Sequence, residues 1–249
     1  YSLPIFPRLL IQLFCVLIIM NLLNEDLIAF MQNVQNYFSI NESFLRTIII
    51  FLLILLWLWL INLFNFMDGM DGITASQCCT FSIGIILISL YGKISSDYTY
   101  IGIILFACMI SFLYWNSPPA KIFLGDVGSI PIGFLISSII MINLIQGNDF
   151  VPLLILILFH FTDATLTLII RILKRKKFFK AHSEHSYQKK IRNNFSHKDV
   201  LSKINFINFT LIIFSLFYYI NPILSLFLSL LAVLIILIWL NSKNSKNDF

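Results

Sequence analysis

Residues 44–72 read FLRTIIIFLLILLWLWLINLFNFMDGMDG, an apolar run with one early charge that ends in amides, carboxylates and glycines. A helix needs about 17–25 predominantly apolar residues to cross the hydrocarbon core of a bilayer. Unbroken hydrophobicity, without an amphipathic stripe, is typical of a helix that faces lipid. This stretch therefore predicts a membrane span that leads directly into a polar segment.

The same pattern recurs along the whole chain. Of its 249 residues 59% are apolar and 12% are charged, which is too little polar material to surround a soluble core of this size. We predict an all-α, polytopic transmembrane bundle that forms one catalytic domain over residues 1–249. A hairpin is expected where Asn221-Pro222 divides the last two spans. The eight predicted spans are Leu9–Leu23, Phe44–Ile61, Ile73–Tyr91, Thr99–Trp115, Ser129–Ile145, Val151–Ile170, Asn205–Ile220 and Pro222–Leu240.

Basic residues predict the orientation of these spans, because short cytoplasmic loops are enriched in Lys and Arg. If the spans alternate in direction, all of the 17 basic residues except Arg46 and Lys93 fall on one side, including a basic loop at 171–204. Attraction to anionic lipid head groups is the simplest explanation of its basic run Lys174–Lys177, and it does not exclude a role in gathering an anionic substrate. Nucleic acid is not an expected partner. The polar segments Asn62–Gly72, Ser117–Ser129 and Arg171–Lys203 are all predicted to be cytoplasmic.

The first of these segments carries two amides, Asn62 and Asn65, and two carboxylates, Asp68 and Asp71. If the helix continues, both carboxylates lie on one face and point at one ligand. Carboxylate and amide oxygens are hard ligands that suit Mg²⁺ or Mn²⁺ and the phosphates bound to it. An ordinary helix-ending turn is the alternative.

The other segments each offer a site as well as a structural alternative. Asp126 lies between Gly125 and Gly128 just before a span, where it is either an N-cap or a ligand for metal and phosphate. His182 and His185 are three residues apart and can share a helical face that binds phosphate or metal. Asp163 lies inside the sixth span, where it either pairs with a neighbouring segment or has a functional role.

Three motifs together resemble one family. They are N-x-x-N-x-x-D-G-x-D-G at Asn62–Gly72, A-K-x-F-x-G-D-x-G-S at Ala120–Ser129 and H-x-x-H-x-Y-Q at His182–Gln188. Their order and predicted side of the membrane resemble the polyprenyl-phosphate N-acetylhexosamine-1-phosphate transferases (glycosyltransferase family 4), which include the phospho-MurNAc-pentapeptide translocase. The third motif is similar to that of the O-antigen- and capsule-initiating branch.

The resemblance implies an enzyme of the bacterial inner membrane with its active site on the cytoplasmic face. It transfers a sugar-1-phosphate from a UDP-N-acetylhexosamine to undecaprenyl or another polyprenyl phosphate and releases UMP. A homodimer is compatible with this activity. By resemblance, Asp126 and Asp68 hold Mg²⁺ (or Mn²⁺), and the catalytic residues are Asp68, Asp71, Asp126, His182 and His185. The implied substrate-binding residues are Asn62, Asn65, Lys121, Gly125, Asp163 and Tyr187.

One family feature is missing from the sequence. Members carry an adjacent Asp-Asp pair just before a span that resembles the one beginning near Leu9, and this chain has no such pair. The resemblance therefore implies a chain truncated at its N-terminus and inactive as written. Two other functions stay open. One is an ion-coupled transporter with an acidic ion path, and the other is a non-catalytic scaffold of a glycan-assembly complex.

Overall fold

A computed structural model describes residues 4–38, 42–176 and 183–242. Within these ranges the chain forms eleven helices and no strand, which confirms the predicted all-α class. The helices are α1 (Ile5–Leu22), α2 (Asn24–Phe38), α3 (Glu42–Met67), α4 (Ile73–Leu90), α5 (Asp97–Asn116), α6 (Gly125–Ile145), α7 (Val151–Leu156), α8 (Leu158–Leu173), α9 (Ser186–Arg192), α10 (His197–Phe217) and α11 (Pro222–Asn241).

Seven helices in the described ranges are long and apolar enough to cross a membrane: α1, α3, α4, α5, α6, α10 and α11. They correspond to seven of the eight predicted spans. The predicted hairpin is also confirmed, since α10 ends at Phe217 and α11 begins at Pro222. The side chain of Asn221 accepts a hydrogen bond from the Leu224 N–H at 3.0 Å, and Pro222 occupies a first-turn position that needs no N–H.

The predicted span Val151–Ile170 is not one continuous helix, because the helix breaks at Ile157 between α7 and α8. Gln77 of α4 donates from Nε2 to the Leu156 carbonyl at 2.8 Å, and the Ile157 N–H turns back to Leu154 at 3.2 Å. A broken helix inside an apolar bundle is tolerated where other groups satisfy its backbone. The side chain that meets this requirement comes from a distant part of the sequence.

Helix α2 lies where only a polar link was expected. Its buried residues Leu27 and Met31 are four positions apart and share one helical face. Glu25 and Asp26 in its first turn favour the positive end of the helix dipole. Because so few apolar residues mark its buried face, the sequence of α2 gives only a weak helical periodicity, and the helix was not predicted.

The chain divides into two compact units. Unit 1 contains the described residues of Tyr1–Asn65 and Asp126–Phe150. In it, Gly133 of α6 lies against the backbone carbonyl of Ile61 on α3, an approach that only a residue without a Cβ allows. This contact brings the C-terminal part of α3 beside the first turns of α6.

Unit 2 contains the described residues of Phe66–Gly125 and Val151–Phe249. Its centre is α4, the most buried of the candidate spans at 78%, which packs against α5, α7 and α10. We call the end of unit 2 formed by Gly72, Asn116 and His197 the motif end. At the opposite end, Lys93 Nζ lies 5.7 Å from the Tyr91 ring centre and 5.1 Å from that of Tyr219.

These two ends are separated by the length of a bilayer core. The 18 residues of α4 rise about 27 Å, close to the thickness of membrane hydrocarbon. Tyr and Lys are typical of a membrane–water interface. Lys93 lies at the far end of unit 2, whereas Lys121 and Lys198 are next in sequence to Ala120 and His197, which contact Asp71 at the motif end. Unit 2 therefore has the charge asymmetry that the sequence predicts for an integral membrane protein.

Gly133 and Gly84 offer a matched test of helix packing. An Ala Cβ at Gly133 would overlap the Ile61 backbone carbonyl, whereas at Gly84 it would meet only the flexible end of Leu156. Each substitution gains up to about 1 kcal/mol in helix propensity, so the difference between them measures the clash. We expect Gly133→Ala to lower the apparent melting temperature in detergent by several degrees and Gly84→Ala to change it little. An equal or larger loss at Gly84 would contradict this packing.

Candidate functional site

Asp126 is the centre of a polar cluster in unit 1. It lies in the first turn of α6, and its side chain is 51% exposed. One carboxylate oxygen accepts a hydrogen bond from Asn65 Nδ2 at 2.7 Å, and the other pairs with the Arg8 guanidinium at 2.6 Å. Asn65 also donates to the Ser129 hydroxyl at 3.0 Å. The carboxylate is thus held in place and remains accessible, and each oxygen keeps capacity for another partner.

Asn62 lies one turn before Asn65 on α3 and has a different environment. Its amide donates to Gln12 Oε1 at 2.7 Å and to the Leu58 carbonyl at 2.8 Å, and both amide side chains are buried. This pair joins α1 to α3 below the Asp126 cluster. The structure gives Asn62 a packing role, and its contact with substrate stays a prediction.

The two acidic residues of the first motif do not share a helical face, so that expectation is wrong. Helix α3 ends at Met67 and α4 begins at Ile73, and both carboxylates lie in the turn between them. Gly72 has φ 76°, which favours glycine and allows the sharp entry into α4. We call residues 68–72 the acidic turn.

The acidic turn is held by side chains and backbone from distant segments of unit 2. Asp71 Oδ2 accepts the Ala120 N–H at 3.1 Å and lies 3.2 Å from His197 Nδ1. The Gly72 N–H donates to the Asn116 side-chain oxygen at 3.0 Å, and the amide of Asn116 donates to the Ile122 carbonyl at 2.8 Å. One buried amide therefore joins the first motif to the segment that carries the second.

Two residues predicted from the second motif lie in this connecting segment. Lys121 is exposed, and its Nζ lies 5.2 Å from the centre of the Trp115 ring. Gly125 is exposed at the start of α6 with φ 60°, again a conformation that favours glycine. Their roles in substrate binding stay predictions.

The third motif packs against the other side of the acidic turn. The Tyr187 hydroxyl donates to the Met67 carbonyl at 3.1 Å. Gly69 lies so close to Tyr187 and Gln188 that any side chain there would overlap them. Burial raises the pKa of Tyr187 well above its ordinary value, and the carboxylates of Asp163 and Asp68 act in the same direction. The phenol therefore stays neutral and keeps its proton for donation.

Asp163 is buried and pairs with a neighbouring segment, which is the first of the two alternatives that the sequence left open. Its carboxylate lies 3.2 Å from His185 Nδ1 and accepts the Ser186 N–H at 3.0 Å. The His185 ring is stacked on Tyr187 with 5.7 Å between ring centres. This buried cluster fixes the start of α9 and orients the phenol toward the acidic turn.

His185 lies just before a helix and not on a helical face. It is the N-cap residue of α9, and the helix begins only at Ser186. Its side chain is 3% exposed, which gives it a supporting position in this structure. His182 lies outside the described residues, so its predicted role stays a prediction.

Sequence reasoning missed several residues that the structure places in the clusters: Arg8, Ser129, Asn116, Gln188 and His197. Each of them contacts a residue that is far away in the sequence: Asp126 for Arg8, Asn65 for Ser129, Gly72 for Asn116, Gly69 for Gln188 and Asp71 for His197. A usable signal existed for His197, which follows the N-cap Ser196 at the border of an apolar run. Asn116 similarly ends the apolar run of α5 before Ser-Pro-Pro.

The donor atoms around Asp126 suit a magnesium ion. Mg²⁺ is usually held by one or two carboxylates together with water and substrate phosphates, and not by an all-protein cage. In the described ranges no group of three His, Cys, Asp or Glu side chains is arranged to hold a metal. One accessible carboxylate with a neighbouring amide and hydroxyl nevertheless fits an ion that the substrate helps to bind.

The fold and the clusters define an integral membrane protein whose acidic, amide and histidine side chains gather at helix ends. The model for glycosyl transferase family 4 matches residues 1–144, and the chain belongs to this family.

Several curated relatives match different lengths of the chain. It is 28% identical over 159 residues, 61% of the chain and 44% of the relative, to the probable undecaprenyl-phosphate N-acetylglucosaminyl 1-phosphate transferase of Bacillus subtilis. Phospho-N-acetylmuramoyl-pentapeptide-transferases from Leuconostoc mesenteroides and Listeria welshimeri are 27% and 30% identical over 74% and 55% of the chain. These matches cover 56% and 43% of those two relatives. The chain thus spans about half the length of these three proteins.

Replacing Asn116 tests the connection between the first two motifs. Asn116→Leu removes both hydrogen bonds, each worth about 1 kcal/mol, and leaves the Gly72 N–H without its partner. We expect faster hydrogen exchange in peptides covering residues 68–72 and 117–124, measured by mass spectrometry in detergent. Asn148→Leu, which removes a hydrogen bond to Asn143 in unit 1, is the matched control and should leave both peptides unchanged. Unaltered exchange in Asn116→Leu would contradict the assignment.

Proposed function

We propose that this protein transfers an N-acetylhexosamine-1-phosphate from a UDP-sugar to a polyprenyl phosphate at the cytoplasmic face of a bacterial inner membrane. The observation that carries the proposal is the meeting of the three motif segments around the acidic turn of unit 2. Family membership and the names of the relatives support the same class of reaction. Among these relatives, that from B. subtilis is named for an N-acetylglucosaminyl 1-phosphate group and an undecaprenyl phosphate acceptor.

The proposed reaction is a single displacement at phosphorus. An oxygen of the polyprenyl phosphate forms a bond to the β-phosphorus of the UDP-sugar. The bond from that phosphorus to the oxygen bridging to the α-phosphate breaks, and UMP leaves with the electron pair. The products are UMP and a polyprenyl diphosphate-linked sugar. No oxidant or additional reactant is needed.

The acidic turn is proposed to bind the nucleotide end of the substrate. One of its carboxylates, Asp71, is held in place by the Ala120 N–H and the His197 ring. The exposed Lys121, next to Ala120 in the sequence, supplies positive charge close to the acidic turn that attracts a diphosphate. Orientation of this kind lowers the reaction barrier because little rearrangement is needed when charge develops.

Asp126 is proposed to hold Mg²⁺, with Asn65 and Ser129 beside it. When bound, Mg²⁺ neutralises phosphate charge and favours departure of UMP. Asn65 keeps the carboxylate in position through Oδ1, and Arg8 supplies a fixed positive charge through Oδ2. The predicted contribution of Asp68 to metal binding stays a proposal.

The type of donor sugar is a finer part of the proposal. The H-x-x-H-x-Y-Q pattern favours the branch that initiates O-antigen or capsule synthesis, with a UDP-N-acetylhexosamine or a deoxy derivative as donor. Tyr187 and Gln188 of this pattern pack directly on Gly69. A change in the third motif is therefore expected to change the shape of the acidic turn.

The transporter alternative has less support than transfer. An ion path requires acidic groups that exchange partners along the membrane. In unit 2, Asp163 already bonds to His185 and Ser186, and Asp71 to Ala120 and His197. These carboxylates are fixed by protein groups, as suits orientation of a substrate. A scaffold without activity is distinguished by the following assay.

Replacing Asp126 tests the proposed reaction. In membranes prepared from cells that express the protein, we expect UMP release. This release should require undecaprenyl phosphate and one of a panel of UDP-N-acetylhexosamines. Asp126→Asn should reduce the rate by roughly a hundred- to a thousandfold, the usual loss when one transition-state electrostatic group is removed. Asp149→Asn carries the same change in an exposed loop and should retain full activity. Absence of release with every donor from folded protein would favour a scaffold.

Removing divalent metal tests the role of Mg²⁺ separately. Chelation should abolish UMP release, and Mg²⁺ or Mn²⁺ should restore it because both suit hard oxygen ligands in octahedral geometry. Ca²⁺, which prefers longer bonds and more ligands, should restore much less. Transfer that continues at full rate after chelation would count against a metal at Asp126. Asp149→Asn serves again as the control and should respond to metal as the unmodified protein does.

A further inference from the structure

Lys190 occupies an unusual position for a residue in a basic loop. It is 2% exposed, although most charged residues around it are solvated. Its Nζ donates to the carbonyl and the hydroxyl of Ser242 at 3.1 and 3.0 Å. It also lies 4.3 Å from the ring centre of Phe195 and 4.5 Å from that of Trp239. A cation is therefore enclosed by two aromatic rings and two oxygens at the end of α11.

This enclosure compensates for the cost of removing an ammonium group from water. Burial lowers the pKa of Lys190. Two cation–π contacts and the negative end of the α11 dipole favour its charged form. Attraction to lipid head groups, the ordinary role of a loop lysine, is not available to an ammonium that is buried in this way.

Further contacts attach the same short helix to α11. Asn241 donates from its amide to the Ser186 hydroxyl at 3.0 Å, and its oxygen lies 3.4 Å from Lys189 Nζ. Three residues of α9 thus contact Asn241 at the end of α11 and Ser242 directly after it: Ser186, Lys189 and Lys190. These contacts attach the first turn of α9 to the end of α11.

Two other residues of α9 contact the acidic turn and the residue just before it. Tyr187 donates to the Met67 carbonyl, and Gln188 packs against Gly69. Tyr187 and Lys190 are three residues apart on one seven-residue helix, so they are neighbours on its surface. A shift of the helix at Lys190 therefore moves Tyr187 as well.

We propose that Lys190 is a positioning residue, which clamps α9 to the C-terminal end of α11 and thereby holds Tyr187 and Gln188 against the acidic turn. The inference rests on the proposed function for its effect on catalysis. Its structural part, the control of the acidic turn by a distant lysine, is independent of that function. Lys190 contacts Ser242, Phe195 and Trp239, and it acts on the acidic turn through Tyr187.

The first arm of the test is kinetic. Lys190→Met keeps the apolar stem and removes the charge, and it should lower kcat by about ten- to a hundredfold, as expected for a displaced site. Lys190→Arg keeps a cation between the rings and should recover most of the rate. Lys203→Met, an exposed lysine of α10, is the matched control and should have wild-type kcat. Unchanged kcat in Lys190→Met, or an equal loss in Lys203→Met, would overturn the proposal.

The second arm asks whether Lys190 acts through Tyr187. In a double-mutant cycle with Tyr187→Phe, residues that act through one contact give effects that do not add. Lys190→Met should therefore lower kcat much less in the Tyr187→Phe background than in the unmodified protein. Fully additive losses would show an independent structural role and would also overturn the proposal.

A third arm separates this inference from the proposed reaction. Hydrogen exchange of a peptide covering residues 66–72 should be faster in Lys190→Met than in the unmodified protein and in Lys203→Met. This readout needs no activity, so it decides the inference even if UMP release fails with every donor. If Lys190→Met does not fold, Trp239→Leu, which removes one wall of the enclosure, takes its place in all arms. Unchanged exchange at 66–72 in the folded variant overturns the clamp.

Discussion

The turn between α3 and α4 carries a constraint on which the rest of unit 2 depends. A helix that ends at the border of a bilayer leaves backbone N–H and C=O groups that hydrocarbon cannot satisfy. Here the Met67 carbonyl bonds to Tyr187, and the Gly72 N–H bonds to Asn116. Because these partners come from two separate segments, α9 and α5, satisfying one short stretch of backbone determines where those segments lie. The gathering of polar side chains at the motif end follows from this requirement.

The buried charged side chains of unit 2 also need partners within the protein. Asp163 and His185 are almost fully buried and bond to each other, while Arg171 is buried and pairs with Glu184 at 2.9 Å. Removing one partner from such a pair costs far more than the pair itself contributes, because an uncompensated charge remains. Lys190 solves the problem differently, with aromatic rings and Ser242 oxygens. In each case the charge ties α9, or the residues just before it, to α8 or to the end of α11, and so reduces the freedom of α9.

In unit 1, the polar cluster around Asp126 depends on close packing between helices and not on a hydrogen-bonded turn. The absence of a side chain at Gly133 lets α6 approach the backbone of α3. Farther along the same interface, Asn65 reaches Asp126 and Ser129. Arg8 then neutralises part of the carboxylate charge, while half of the Asp126 side chain stays accessible. A fixed but accessible carboxylate is what a substrate-assisted metal site requires.

The sequence by itself determined the class of fold, seven of the spans, the hairpin at Asn221-Pro222 and the segments that carry polar chemistry. It did so because spanning hydrocarbon imposes a length and an apolar composition that are local properties. Only the tertiary structure decided that Asp68 and Asp71 leave the helix, that Val151–Ile170 breaks at Ile157, and that Asn116, His197 and Lys190 support the acidic turn. Each of these outcomes depends on a partner far away in the sequence. The hydrogen bond from Gln77 to Leu156 and the contact of the Trp239 ring with Lys190 are examples. Contacts of this kind produce no periodic pattern in the sequence, so they cannot be predicted from it.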